Sequence, residues 1–339
     1  MSHDAVAVAV APPEPPGTGE EPSLSRRQAL LRRFPESGAL IIFLVVLSVV
    51  FASQSPYFMQ WQNWLNILQA AAIAGIVAAP GAVLIISGNF DLSVGAGIAF
   101  CSVVFADVLQ YHGLAAACGV SFACGLAIGL VNGFVVTVLG VNSLIATLGS
   151  LGVLQGLAEV ITQGNEISIN NFAGLGSGRP FWSIPIPVLI LIGVIVVFAG
   201  VLRYTVFGRS IYAIGANRSA ARLAGIRIRR NVMIAFVLSG LAVWGAAVVL
   251  SSQITAGSPT DALPLNLTVI TAIILGGTAL EGGKGGMLGV GLGVVILFAV
   301  QNGLDLANIN TFWQTVVTGV LLILAVALDR LRVRLSLQG

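Results

Sequence analysis

Charge is what this chain has least of. Asp, Glu, Lys and Arg make up 9% of its 339 residues, where ordinary soluble domains carry about 25%. With 57% hydrophobic residues and a mean hydropathy of +0.98, most of the chain has no polar shell to place around a water-soluble core. Histidine is nearly absent: His3 lies in the N-terminal stretch and His112 between two apolar runs. No histidine cluster is therefore available for a metal or for proton transfer, and no Ser-His-Asp set can be assembled. Cys101, Cys118 and Cys124 fall in apolar runs at spacings that match no zinc or redox motif, which leaves packing as their role. No phosphate-binding loop can be drawn either. Gly282-Gly283-Lys284 is followed by Gly285, and Thr278 stands where the first glycine belongs. A net charge of +3 would permit nucleic-acid binding, but the arginines flank apolar spans and are read as membrane orientation signals instead.

What the chain does have is apolar length. Ten stretches match the roughly 20 residues needed to cross a bilayer: 38–53, 64–87, 91–110, 114–138, 142–161, 185–202, 231–252, 265–280, 286–303 and 311–328. They predict an all-α polytopic membrane protein of about ten transmembrane helices over residues 37–339. Residues 1–36, with a Pro12–Pro22 run that holds no helix, are expected to be a disordered cytoplasmic tail and not a signal peptide. With the N-terminus inside, fifteen of the sixteen Lys and Arg residues fall on the cytosolic side and Arg179 alone falls outside. That is the asymmetry the positive-inside rule demands, and it places both termini in the cytosol.

Among the spans lies one strongly basic island, Phe207–Arg230, with Arg203 just upstream; residues 203–230 together form a cytoplasmic loop. Within it Asn217–Gly225 reads as a short helix: Asn217 or Ser219 caps it, alanines and Leu223 favour it, and Gly225 stops it. Leu223 and Ile226 are apolar residues placed outside the membrane. That suits either a loop made basic only for orientation or a helix presented to a soluble partner. Two small-residue ladders, Gly125-Gly129-Gly133 and Gly285-Gly289-Gly293, are each spaced four apart and predict close helix packing. Ile85–Gly97 and Ile273–Gly285 echo one another, each with an apolar span end, a glycine-containing break with one acid, then a glycine-rich span.

No acid maps to mid-membrane, which argues against a proton- or sodium-coupled carrier. The polar residues inside the spans are instead uncharged, among them Asn132, Asn142, Thr147, Asn266, Thr271 and Asn302. With Asn89, Phe90, Asp91 and Ser93 at the first break, they are candidates for a solute path or gate. Interhelical hydrogen bonding is the competing role for each. Asp91 also suits the N-cap of the third span. Glu281 and Lys284 suit either a local pair or a partner contact.

The segment AIGANRSAARLAGI within the island closely resembles the cytoplasmic loop of the ribose/xylose/autoinducer-2 group of ABC-importer permeases, in the branched-chain and sugar permease superfamily. Gly88–Gly95, Leu275–Gly293 and Asn308–Asp329 are similar to that family too, as is Asn142–Gly149, although Asn142-Ser143 stands where a proline is common. The resemblance implies that Arg218, Ser219, Ala220, Ala221, Arg222, Leu223, Ala224, Gly225 and Ile226 form the helix that docks on the ATPase. It further implies a cytosolic ATPase carrying ATP and Mg, an extracytoplasmic solute-binding protein, and a second permease copy or paralogue. The solute would be a small neutral polar molecule: a monosaccharide, a polyol or autoinducer-2. A secondary carrier, or a scaffold that binds a regulator through the basic loop, are the other classes the residues allow.

Overall fold

The computed structural model describes residues 36–180 and 183–337, so the tail at 1–35 lies outside the described residues. Twelve helices occur among them: α1 Glu36–Gln54, α2 Trp61–Ile86, α3 Val94–Thr137, α4 Ser143–Thr162, α5 Gly174–Ser177, α6 Ile186–Tyr204, α7 Val206–Ala216, α8 Arg218–Leu223, α9 Ile228–Ile254, α10 Leu265–Leu275, α11 Met287–Leu306 and α12 Thr311–Leu337. Six of these are long and apolar enough to cross a membrane: α2, α3, α4, α6, α9 and α11. The all-α expectation needs one correction. Ile167–Ser168 (β1) and Ala256–Gly257 (β2) pair antiparallel, with Ile167 opposite Gly257.

At 44 residues α3 would be about 66 Å long if straight, yet Ser93 and Asn132 at its two ends share a hydrogen bond of 2.9 Å. It is therefore a hairpin. The reversal sits at Gly113, whose φ of 77° and ψ of 174° break the helix at a single residue. The sequence-predicted spans 91–110 and 114–138 are its two arms, and the loop expected between them shrinks to one glycine with His112 beside it.

Helix α2 is the centre of the bundle. Its run of Ala, Gly, Ile and Val is apolar on every side, the pattern of a helix enclosed all round, and it is buried continuously from Ala71 to Ile86. Helices α6, α9, α10 and α11 pack around it.

The strongest packing is between α3 and α9, and along the second arm of α3 glycines let the backbones meet. A Cβ on Gly125 would lie 2.7 Å from the Gly240 carbonyl, and one on Gly129 would lie 2.6 Å from the Phe236 carbonyl. A Cβ on Gly133 would meet Met233 Sδ at 2.5 Å. Gly129→Ala should therefore destabilise the protein by about 1–3 kcal/mol. Gly119→Ala, where nothing lies within 4 Å, should instead stabilise α3 slightly, by up to about 1 kcal/mol; melting of the two purified variants checks this.

The second ladder is shorter than the sequence suggests. Gly289 and Gly293 sit on α11 against Gly276 and Ala272 of α10, but Gly285 precedes the helix, at φ 146°, and packs on Thr278. Helix α10 also ends early, at Leu275 instead of 280, because the chain turns at Gly277 (φ 86°).

Candidate functional site

The two breaks noticed in the sequence share one geometry. At the end of α2, Gly88 N–H donates to Ile85 O and Asn89 N–H to Leu84 O; at the end of α10, Gly277 N–H donates to Ile274 O and Thr278 N–H to Ile273 O. Both are Schellman closures around a left-handed glycine, with φ of 76° at Gly88 and 86° at Gly277. The echo is thus real in conformation, though its register is one residue off the sequence alignment: Ile85 matches Ile274. The second break is also longer, and the extra chain carries Glu281 to Lys284.

A chain of hydrogen bonds fixes the first break. Phe90 N–H donates to Ser143 Oγ at 3.1 Å and Leu92 N–H to Thr147 Oγ1 at 3.0 Å, tying the break to α4. The Asp91 carboxyl accepts from Ser93 N–H (3.0 Å) and Ser93 Oγ (2.6 Å) through Oδ1, and from Ser239 Oγ of α9 (2.8 Å) through Oδ2. Asn132 donates to Ser93 Oγ and accepts from Ser150 Oγ. Asp91 is not itself the cap of α3: Ser93 occupies that position, and Asp91 closes a turn ahead of it. Asn89 is buried and donates to Ser87 Oγ at 2.9 Å.

The remaining candidates for a solute path separate. Asn142 caps α4, accepting from Leu144 N–H at 2.9 Å. Asn266 accepts from Gly95 N–H at 2.6 Å, which ties α10 to the start of α3. Thr271 is fully buried and donates to Leu267 O within its own helix. Asn302 lies at the opposite end of the bundle, where it exchanges two amide hydrogen bonds with Asn63, at 2.8 and 3.1 Å. Six of the ten candidates, Asn89, Phe90, Asp91, Ser93, Asn132 and Thr147, therefore converge at the first break, and Asn142 borders it. Ser150 and Ser239 belong to the same network and were not among the sequence candidates. Each is a hydroxyl inside an apolar run, a signal open to reading, but one that names no partner.

The basic island is two helices and a capped turn. Asn217, between α7 and α8, accepts from Ala220 N–H at 2.9 Å, so it and not Ser219 is the cap. Gly225, at φ 79°, ends α8; Gly225 N–H donates to Arg222 O and Ile226 N–H to Ala221 O. The helix is Arg218–Leu223, shorter than the nine residues expected. Ala221 is buried against the body, Ile226 is half-buried, and Leu223 is 90% exposed. Arg218, Arg222, Arg227, Arg229 and Arg230 line a cleft of about 850 Å³ whose other wall is Gly88–Asn89 and Asn142–Ser143. Glu281 does not pair with Lys284; it pairs with Arg330, the sole ion pair among the described residues. Those residues also hold no cluster of three or more His, Cys, Asp or Glu side chains fit for a metal.

Two like breaks thus lie at one end of a bundle of apolar helices, six of them long and apolar enough to cross a membrane, with a capped basic helix beside them. The chain belongs to the family described as the permease component of the branched-chain amino acid transport system, whose pattern matches residues 63–326. It is 37% identical over 306 residues to the probable ABC transporter permease protein YphD of Escherichia coli K12, covering 90% of this chain and 92% of that one. It is 37% identical over 304 residues to the L-arabinose transport system permease protein AraH of the same strain, covering 88% and 92%. To that strain's ribose import permease protein RbsC it is 34% identical over 303 residues, covering 87% and 93%. No solved structure matches it.

Proposed function

We propose that this chain is the membrane-spanning permease subunit of an ATP-driven importer of a monosaccharide, in the bacterial inner membrane. The observation that carries the reading is Leu223: a large apolar side chain 90% exposed, held on a capped helix, ringed by arginines and placed outside the apolar spans. In that place it suits an anchor that fills a partner's pocket. ATP and Mg belong to a cytosolic ATPase that supplies this pocket, and an acidic surface on it complements the arginines. The relatives that carry arabinose and ribose in their names point to a sugar.

Ten passes result when the two arms of α3 count separately and α1, α10 and α12 are added to the long helices, α10 with its eleven residues covering only part of the bilayer as helix. With the arginine-rich end in the cytosol, both termini are cytosolic. A solute-binding protein then delivers sugar at the end that holds Asn63 and Asn302, and closure of the ATPase moves α8 to rock the spans. Most polar side chains inside the bundle already have hydrogen-bond partners, Ser251 and Thr278 excepted, which suits a path along the face shared with a second permease copy or a paralogue. Gly149, Gly152 and Gly156 on α4, with nothing within 4 Å, suit such a close helix contact.

The test is ATP hydrolysis in proteoliposomes holding this chain, its ATPase and its binding protein, across a panel of pentoses and hexoses. Stimulation by one sugar is the expected result. Uptake driven by a proton or sodium gradient without ATP would overturn the reading in favour of a secondary carrier.

A further inference from the structure

Helix α2 leaves one carbonyl over. Leu84 O and Ile85 O are taken by the Schellman closure, but Ile86 O, fully inside the protein, needs another donor. It finds one in the other half of the molecule: Gly283 N–H, in the second break, donates to it at 2.8 Å. The two breaks are therefore bonded directly to each other.

Helix α7 sits on that bond. A Cβ on Gly215 would lie 1.8 Å from Ile86 O and 2.4 Å from Gly283 N, so the α7 backbone touches both partners at once and only glycine fits. One turn earlier, Tyr212 Oη donates to Gly285 O at 2.8 Å. A tyrosine phenol is protonated at neutral pH, and burial pushes that of Tyr212 higher still, so it stays a donor. Ile211, one turn before Gly215 on the same face, and Ile214 are both buried and fasten α7 to the core. Gly282 and Gly283 complete the joint at positive φ, 86° and 74°, and a Cβ on Gly283 would lie 2.8 Å from Ala216 Cα. Asn217 alone separates α7 from α8.

From this juxtaposition we propose that Gly215 and Tyr212 are positioning residues for transport: they form the joint through which displacement of α8 reaches both breaks together. The proposal rests on the importer reading above, and it adds to it the place where motion divides between the two repeats. A shift of α8 acts through Asn217 on the last turn of α7. Because Gly215 is wedged against the Ile86–Gly283 bond, that turn cannot move without carrying both glycine-rich breaks.

The test is hydrogen–deuterium exchange on the full chain in nanodiscs, with and without its ATPase and ATP, for wild type, Tyr212→Phe and Gly215→Ala. In the wild type the ATPase should change exchange in α8 and, together with it, at Gly88–Ser93 and Gly282–Gly285. In both variants the change in α8 should persist while the changes at the two breaks fall by roughly threefold or more, and solute moved per ATP should fall with them. Unaltered changes at both breaks in Tyr212→Phe would overturn the proposal, and this variant keeps it open to refutation should Gly215→Ala fail to fold. Absence of any change in α8 of the wild type is a separate result, which removes docking through α8 and this joint with it, and leaves the importer reading to the ATP hydrolysis assay above.

Discussion

Leu223→Asp will cut sugar-stimulated ATP hydrolysis by the reconstituted importer about thirtyfold or more, while the permease inserts and melts as the wild type does. An anchor that enters a partner's pocket contributes about 2 kcal/mol or more, and 2 kcal/mol is roughly thirtyfold in affinity. A carboxylate placed there would also face the acidic surface proposed for the ATPase. Folding is spared because Leu223 is 90% exposed, and the cap at Asn217 and the stop at Gly225 are untouched. Arg222→Gln, which removes one exposed charge, should cost only about 0–1 kcal/mol. Hydrolysis undiminished in Leu223→Asp would move the docking site elsewhere on the chain.

Asp91 separates stability from gating. Its carboxyl takes three hydrogen bonds and joins the first break to α9 through Ser239. In Asp91→Ala, Ser239 and Ser93, both fully buried, lose that acceptor. At about 1.5–3 kcal/mol for a hydrogen bond to a charged group, the expected loss is about 3–6 kcal/mol, enough to remove most of the folded permease. Asp91→Asn keeps the shape and one carbonyl oxygen, and its amide can donate to Ser239 instead. It should therefore fold nearly as well as the wild type and retain uptake within about threefold. Thermal melting and sugar uptake measured on both variants decide the matter. A well-folded Asp91→Asn without uptake would show that the carboxyl acts on the gate and does more than hold the break.

Hydropathy located every long helix because twenty apolar residues in a row leave little choice of environment. The hairpin at Gly113 was legible too, since a stretch of some 44 residues is too long for one crossing. The turn chemistry of the basic island could be read as well: Asn217 and Gly225 do the capping and stopping their residue types favour. What could not be read were contacts between distant segments. Ser239 meets Asp91 across 148 positions, and Tyr212 meets Gly285 across 73. Neither carries a local signature, because the bundle creates the pairing. Gly215 carries no such signal either, because the sequence reading starts the short helix at Asn217 and leaves Gly215 in the loop, whereas the structure sets it inside α7. The equal turns of the two breaks appeared in sequence only as an echo, blurred by the longer second segment. Glu281 reads from sequence as suiting either a local pair with Lys284 or a partner contact, and its actual partner, Arg330, comes from the end of the chain.

The enclosure of α2 bears on how the protein is made. The four helices packed around α2, namely α6, α9, α10 and α11, all follow it in the chain, α6 beginning at Ile186 and the others from Ile228 onward. When α2 leaves the ribosome these four helices do not yet exist. About a hundred residues separate its end at Ile86 from the start of the first of them, α6, at Ile186. The native arrangement around α2 is thus completed late, and a chain stalled before α9 would leave α2 without three of the four.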